Sequence, residues 1–500
     1  MNMLPIETDF SKLYDLLAYN PKSPLLFSSG LFLFLFTAFA LLYYLFKNNR
    51  GVRIVYVTLF SLYFYYKSSG IYFLLLIFTA TSDYLIGHWM NHLATNQKQR
   101  KLLVLLSLCV NLGMLAYFKY TNFLADVFSG IFQVPFDIER VFLPVGISFF
   151  TFQSISYIID IYRNEIKPLD RWIDYVFYIS FFPQLVAGPI VRAKDFIPQI
   201  HKPVHVTDYM FGKGVFLILA GLFKKAIISD YISLNFVDRV FDQPLLYSGF
   251  ENLMAVYAYA LQIYCDFSGY SDMAIGIALL LGFKFNVNFN SPYKSATITE
   301  FWRRWHISLS SWLKDYLYIS LGGNRKGKIR TYFNLLTTML LGGLWHGASW
   351  QFVFWGALHG TSLAIHKRVM ESFKSFKTMG YEMKPWRRVL GILLTFHLVC
   401  FGWIFFRASS FENGWLVLEQ IFTSFRPEII PQFFAGYKMV SFFILLGYVL
   451  HFTPESWERK AYQWSTSAPL LAKAAVFTLM IILVMQLKSS DVQPFIYFQF

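Results

Sequence analysis

Runs of about 20 apolar residues recur from one end of this chain to the other, the length at which a helix crosses a bilayer. Examples are 25–46 (LLFSSGLFLFLFTAFALLYYLF), 102–118, 141–161, 390–406 and 469–487. A backbone in hydrocarbon must satisfy its own amides, so such runs fold as helices or as strands of a closed barrel. Barrel strands would be segments of about 10 residues with strict alternation, and that pattern is absent here. The charged fraction is 15%, against about 25% for soluble domains. The segments 25–46, 54–66, 70–90, 102–119, 141–161, 211–231, 251–282, 331–344, 349–366, 390–408, 437–452 and 469–487 give about 10–12 membrane helices. The reading is an all-α polytopic membrane protein surrounded by membrane lipids.

The formal net charge is +15. On a soluble protein this would suggest nucleic acid. Here the cations fall in short segments between apolar runs: KNNRGVR (47–53), QKQRK (97–101), NRKGKIR (324–330) and 367–388. That is the bias of cytoplasmic loops, and no nucleic-acid partner is expected. With 47–53 and 97–101 both inside, the N-terminus lies outside, and so does the C-terminus if Arg459 and Lys460 are internal. The mixed polar residues 1–24 read as an N-terminal extension without a cleavable signal, and 25–500 as a single membrane-embedded domain. Cys109, Cys265 and Cys400 sit in apolar sequence without ligand spacing and read as small buried hydrophobes. His88 and His92 share a helical face but lack a third ligand, so no metal is expected.

Three segments do not read as plain spans. In 179–192 (ISFFPQLVAGPIVR), Pro183, Gly188 and Pro189 predict a re-entrant or broken piece buried in protein. In 263–283, Asp266 and Asp272 lie inside an apolar helix, which predicts carboxylates bonded to a neighbouring helix. In 297–325, Thr297 and Glu300 form a capping-box pattern. From there Phe301, Trp302, Trp305, Leu309, Trp312, Leu313, Tyr316 and Leu317 cover one helical arc, and Arg303, Arg304, Ser311, Lys314 and Asp315 the other. This predicts an amphipathic interfacial helix ended by Gly322-Gly323-Asn324, with His306 on the arc facing protein.

Of ten histidines, His359, His397 and His451 read as hydrogen-bonded core residues. His346, in GGLWHGASW (342–350), differs because it lies between two basic segments assigned to the same side. The 36 residues 331–366 must go in and return, whereas two full spans need about 40 plus a turn. The chain therefore turns at about residue 348, and Gly342, Gly343, Gly347 and Ala348 permit the break. His346 is placed at that turn, inside the bundle and far from the cytoplasm. An imidazole there can act as a general base, taking a proton from a hydroxyl that attacks a thioester. His306 supplies a second inward imidazole. No serine or cysteine in nucleophile-elbow context accompanies them.

FLPVGISFFTFQSISYIIDIYR (142–163), FFPQLVAGPIVR (181–192), YCDFSGYSDMAIGIALLLGF (264–283), SPYKSATITEFWRRWHISLSSWLKDYLYISLGGNR (291–325) and GGLWHGASWQFVFWGALHG (342–360) together resemble the membrane-bound O-acyltransferase (MBOAT) superfamily. The likeness is to its bacterial alginate O-acetyltransferase branch, whose cousins include the D-alanyl transfer protein of teichoic acid synthesis. It runs from about residue 25 to 410, with core motifs in 142–366. It implies an MBOAT fold with re-entrant and interfacial helices around a central tunnel. It implies that His346, of the WHG motif, is catalytic and that His306, of RRWHISLS, is a second catalytic-site histidine. It implies a cytoplasmic thioester donor such as acetyl-CoA, used as a substrate with no permanently bound cofactor. It also implies a bacterial inner-membrane location, a periplasmic or extracellular acetyltransferase partner and a polysaccharide acceptor. Transfer of D-alanine or another acyl group, and a non-enzymatic role in polysaccharide or lipid export, are the alternatives.

Overall fold

The computed structural model describes residues 10–21, 23–93, 95–134, 139–372 and 384–487. Residues 1–9 of the N-terminal extension, and Lys374 and Lys377 of the basic segment 367–388, lie outside the described residues. Every described element is a helix, so the all-α expectation holds. Three helical runs are long and apolar enough to cross a membrane: Arg50–His92, Gln97–Phe132 and Pro385–Arg407. Two bent pairs raise the count to as many as five: Pro427–Gly436 with Lys438–Phe452, bent by 94°, and Glu455–Ser467 with Leu470–Gln486, bent by 119°. That is fewer than the expected 10–12. Other apolar segments form shorter helices, such as Gly30–Phe46, or helices too polar in composition.

The contacts divide into two units. The first comprises Met1–Leu115, Phe142–Val186 and Ile197–Pro203. Two of its helices, Gly30–Phe46 and Arg50–Ser69, begin on side-chain caps, Ser29 on the Phe32 N–H and Asn49 on the Val52 N–H, each at 3.2 Å. Such caps satisfy amides that the first turn leaves without partners. Phe182 fills the centre of an aromatic core, 5.0 Å from Phe60, 5.7 Å from Phe39 and 5.8 Å from Phe64 between ring centroids. It sits on the single turn Phe182–Leu185, which follows the Trp172–Ser180 helix. Residues 186–192 then run without regular structure, and 186–191 are buried. The broken segment expected from Pro183, Gly188 and Pro189 is therefore present.

Part of the basic character of 47–53 and 97–101 is structural rather than that of free loop charge. Arg53 is 2% exposed. Its guanidinium donates to the carbonyls of Ile200 at 2.9 Å and Lys47 at 3.1 Å. Arg50 pairs with the buried Asp174 at 2.8 Å. Arg100 donates to Ile161 O at 2.9 Å and Asn164 Oδ1 at 2.8 Å. Five donors on one fork suit arginine to such orphan carbonyls. Cys265 and Cys400 are buried as expected, but Cys109 is exposed; apolar neighbours in sequence do not say which face of a helix a residue takes.

The second unit comprises Ala116–Val141, Ala187–Phe196 and Val204–Phe500. Asp208–Leu222 runs on through the π-helical segment Phe223–Ser229 and packs along Gly249–Leu280. The two backbones touch where glycines face each other. A Cβ on Gly221 would stand 2.5 Å from Gly269 O, and one on Gly276 would stand 2.6 Å from Gly214 O. Small residues allow this approach in membrane bundles. Asp266 and Asp272 are fixed by this pairing: Lys225 Nζ lies 2.5 Å from Asp266 and 2.7 Å from Asp230, and Lys224 Nζ lies 2.6 Å from Asp272. The expected structural role of the two aspartates is thus met by ion pairs to consecutive lysines.

Segment 297–325 departs from its reading. Thr297 does cap the helix, accepting from Glu300 N–H at 3.1 Å, while the Glu300 carboxylate reaches back to Ala296 N–H at 2.9 Å. The helix stops at Ile298–Arg304, and a second begins at Ile307–Trp312, followed by a π-helical turn, Leu313–Tyr318. One amphipathic arc cannot reveal this break, because a single left-handed residue resets the path without disturbing the apolar spacing. That residue is His306, with φ 42 and ψ 57.

Candidate active site

The hairpin expected around residue 348 is present. Lys328–His346 ends at His346, Trp350–Ser372 begins four residues later, and the two helices pack along their length. Gly343 and Gly356 permit the contact: a Cβ on Gly356 would stand 2.5 Å from Met339 O and 3.0 Å from Leu340 Cα. At the turn, a Cβ on Gly347 would run into the Phe352 ring. His346 is therefore the last residue of its helix, as the sequence indicated, and is only 3% exposed.

Aromatic rings enclose it. Centroids lie 5.0 Å away for Trp345, 5.0 Å for Trp355 and 5.4 Å for Phe406. The Trp345 ring also lies 6.2 Å from His306, so the two histidines singled out in sequence flank one indole. His306, fully buried, packs edge-on against Phe267 at 4.6 Å. Trp350, the other tryptophan of GGLWHGASW, is 61% exposed and packs on Phe123 at 5.8 Å.

The partners of His306 settle its tautomer. Asn288 is buried and accepts from Ser308 N–H at 3.1 Å. A backbone amide can only donate, so the accepting atom must be the Asn288 oxygen. The same oxygen lies 3.1 Å from His306 Nδ1, which must then carry the proton. In the neutral ring Nε2 is left with its lone pair. That atom is buried and has no hydrogen-bond partner among the described residues. Asn288 also holds the backbone at the break, its carbonyl accepting from Ile307 N–H at 2.8 Å.

A third imidazole joins the cluster. His359 is fully buried and lies 4.6 Å from Trp355. It was expected to be a hydrogen-bonded core histidine. It is one: its Nδ1 accepts from Trp302 Nε1 at 3.3 Å, which leaves the proton of the neutral ring on Nε2, an atom with no hydrogen-bond partner among the described residues. His451 behaves as expected, buried and accepting from Tyr293 N–H at 3.1 Å, whereas His397 bonds Tyr257 Oη at 2.9 Å but is exposed rather than in the core. Sequence reasoning missed Asn288 and His359. Asn288 lies in the irregular stretch before the 297–325 segment, where no periodicity points at it. His359 is one turn past Trp355 on the hairpin's second helix, visible only once the hairpin is folded. Among the described residues, no three His, Cys, Asp or Glu side chains gather as a metal site. The arrangement offers buried imidazoles in an aromatic surround, with the Nε2 lone pair of His306 among them and the Ser308 hydroxyl 3.4 Å from His306 Nδ1.

Residues 169–410 match the sequence profile of the membrane-bound O-acyltransferase family. The chain is 42% identical over 408 residues to the "Probable alginate O-acetylase" of Pseudomonas aeruginosa, covering 80% of this chain and 75% of that one. It is 37% identical to the "Peptidoglycan O-acetyltransferase" of Helicobacter pylori, over 79% of each chain. It is 30% identical to the "Teichoic acid D-alanyltransferase" of Bacillus subtilis, over 54% of this chain and 70% of the relative.

Proposed function

Because this chain belongs to the membrane-bound O-acyltransferase family, we propose that it carries an acetyl group from cytoplasmic acetyl-CoA across the bacterial inner membrane toward an exported polysaccharide, through an extracytoplasmic acetyltransferase partner. That it is a multi-pass membrane O-acyltransferase follows from the family and the apolar helices; donor, acceptor, partner and membrane side are the proposal. The observation that carries it is His346, held at the hairpin turn in an aromatic cage that it shares with His306 through Trp345.

In the proposed reaction, His346 takes the proton of a hydroxyl as its oxygen attacks the thioester carbonyl. The tetrahedral intermediate collapses, the C–S bond breaks, and a C–O ester replaces it. The leaving thiolate regains the proton. An imidazole suits both proton transfers, because it gains and loses a proton near neutral pH. His306 sits beside the same indole with Nδ1–H tied to Asn288, so its Nε2 lone pair is aimed by a fixed partner. It would accept a hydrogen bond from the donor or the incoming hydroxyl and hold it against His346. The buried aromatic walls would keep water from competing for the acyl group.

Acetyl is favoured over D-alanyl by the higher identity and longer coverage of the O-acetylating relatives. Sealed vesicles of known orientation, given radiolabelled acetyl-CoA on one face and an acceptor polysaccharide with its transferase on the other, test the reading. Label should reach the acceptor only when acetyl-CoA is on the cytoplasmic face. Transfer from a D-alanyl carrier but not from acetyl-CoA would replace the acetyl assignment.

A further inference from the structure

The last turn of an α-helix leaves four carbonyls without intrahelical donors. For Lys328–His346 these belong to Gly343, Leu344, Trp345 and His346. Helices often solve this with a left-handed glycine just past the end. Gly347 stands at that position but is extended, with φ −158 and ψ 150, and supplies only one bond, to Gly343 O at 3.3 Å. The other three carbonyls take their donors from another helix. Tyr120 Oη donates to Leu344 O at 2.8 Å. The Lys119 ammonium donates to Trp345 O and to His346 O, the latter at 3.1 Å. One turn further along the same Gln97–Phe132 helix, Phe123 packs on Trp350, the first residue of the hairpin's second helix.

A lysine in a membrane helix ordinarily extends its stem toward water. Lys119 instead turns inward, its Nζ 5.9 Å from the Trp345 ring. An ammonium there also offsets the negative end of the Lys328–His346 helix dipole. We infer that Lys119, with Tyr120, is a positioning residue that fixes the terminal turn carrying His346, and so fixes the imidazole between Trp345, Trp355 and Phe406. The inference rests on His346 carrying the transfer step.

The test is steady-state transfer in reconstituted vesicles, normalised to inserted protein, for Lys119→Met, Lys119→Arg, Tyr120→Phe and His346→Ala. Lys119→Met keeps the stem but removes the donors. A displaced base should lower kcat about 10- to 100-fold. KM for the thioester donor should stay within about twofold, since what is lost is felt at the chemical step. Lys119→Arg restores donors to the carbonyls and should recover part of that kcat, and Tyr120→Phe, which frees one carbonyl, should cost less than Lys119→Met. Wild-type kcat in Lys119→Met, or an Arg variant no better than Met, overturns the clamp. If Lys119→Met does not insert, wild-type kcat in both Lys119→Arg and Tyr120→Phe overturns it. Retained turnover in His346→Ala would instead remove the functional reading beneath it, so the two failures are distinguishable.

Discussion

Replacing His306 by glycine should leave the protein more stable than replacing it by alanine. Both changes delete the imidazole, its edge contact with Phe267 at 4.6 Å and its bond to Asn288 at 3.1 Å, so that cost is common to the two. What remains is the backbone at φ 42, ψ 57. A left-handed conformation costs a residue with a Cβ about 1–2 kcal/mol, and glycine pays no such penalty. Against this, glycine's greater freedom in the unfolded chain costs about 0.4–1 kcal/mol. The balance favours glycine by about 0.5–1 kcal/mol, a factor of about 2–5 in the folded-to-unfolded ratio. Inside an ordinary helix the order would reverse, with alanine ahead by about 1 kcal/mol, so the sign alone separates a broken from a continuous 297–321 helix. Unfolding in mixed micelles followed by tryptophan fluorescence reads the difference, and acetyl transfer should fall to a similar level in both variants. An alanine variant more stable than the glycine variant would refute the left-handed break.

Lys225→Met should destabilise the protein by about 3–5 kcal/mol, because it leaves the buried Asp266 carboxylate without its ammonium; adding Asp266→Asn should recover part of the loss, and an unchanged unfolding midpoint in the single variant would contradict the pairing. Gly356→Ala should cost about 1–3 kcal/mol, since its Cβ would press on the Met339 carbonyl and neither backbone can yield cheaply. Gly113→Ala, a helical glycine with open space around it, should instead be neutral or stabilising, and equal effects of the two in the same micelles would count against the close hairpin packing. In a background with the exposed Cys109 replaced, a cysteine at 326 should label from the cytoplasmic side and one at 349 should not; free labelling of both from that side would place the turn wrongly.

The parts of this fold legible in sequence were those set by spacing and by strong local rules. The hairpin around residue 348 followed from counting residues between basic segments, and it stands with its turn between His346 and Trp350. Pro183 announced the broken segment because a proline withholds an amide wherever it falls. What stayed hidden depended on partners distant in sequence. Lys119 read as the end of a span, yet it caps a helix 226 residues away. Asp266 and Asp272 were recognised as costly, but their partners Lys224 and Lys225 lay unnoticed inside another apolar run. The helix break at His306 was invisible because the residues on both sides keep one apolar arc, and only the Asn288 contacts reveal why the chain tolerates a left-handed histidine there. Among the described residues, three to five helical runs are by themselves long and apolar enough to cross a membrane, because other apolar segments form shorter helices.

The central claim is that the imidazole of His346 performs the transfer. It is tested most directly by comparing wild type with His346→Ala, matched for inserted amount, in oriented vesicles supplied with radiolabelled acetyl-CoA and an exported-polysaccharide acceptor. Removing a general base typically costs about 10²–10⁴-fold. The account predicts a loss of that size in the variant with its helices intact, and label reaching the acceptor at the wild-type rate would contradict it.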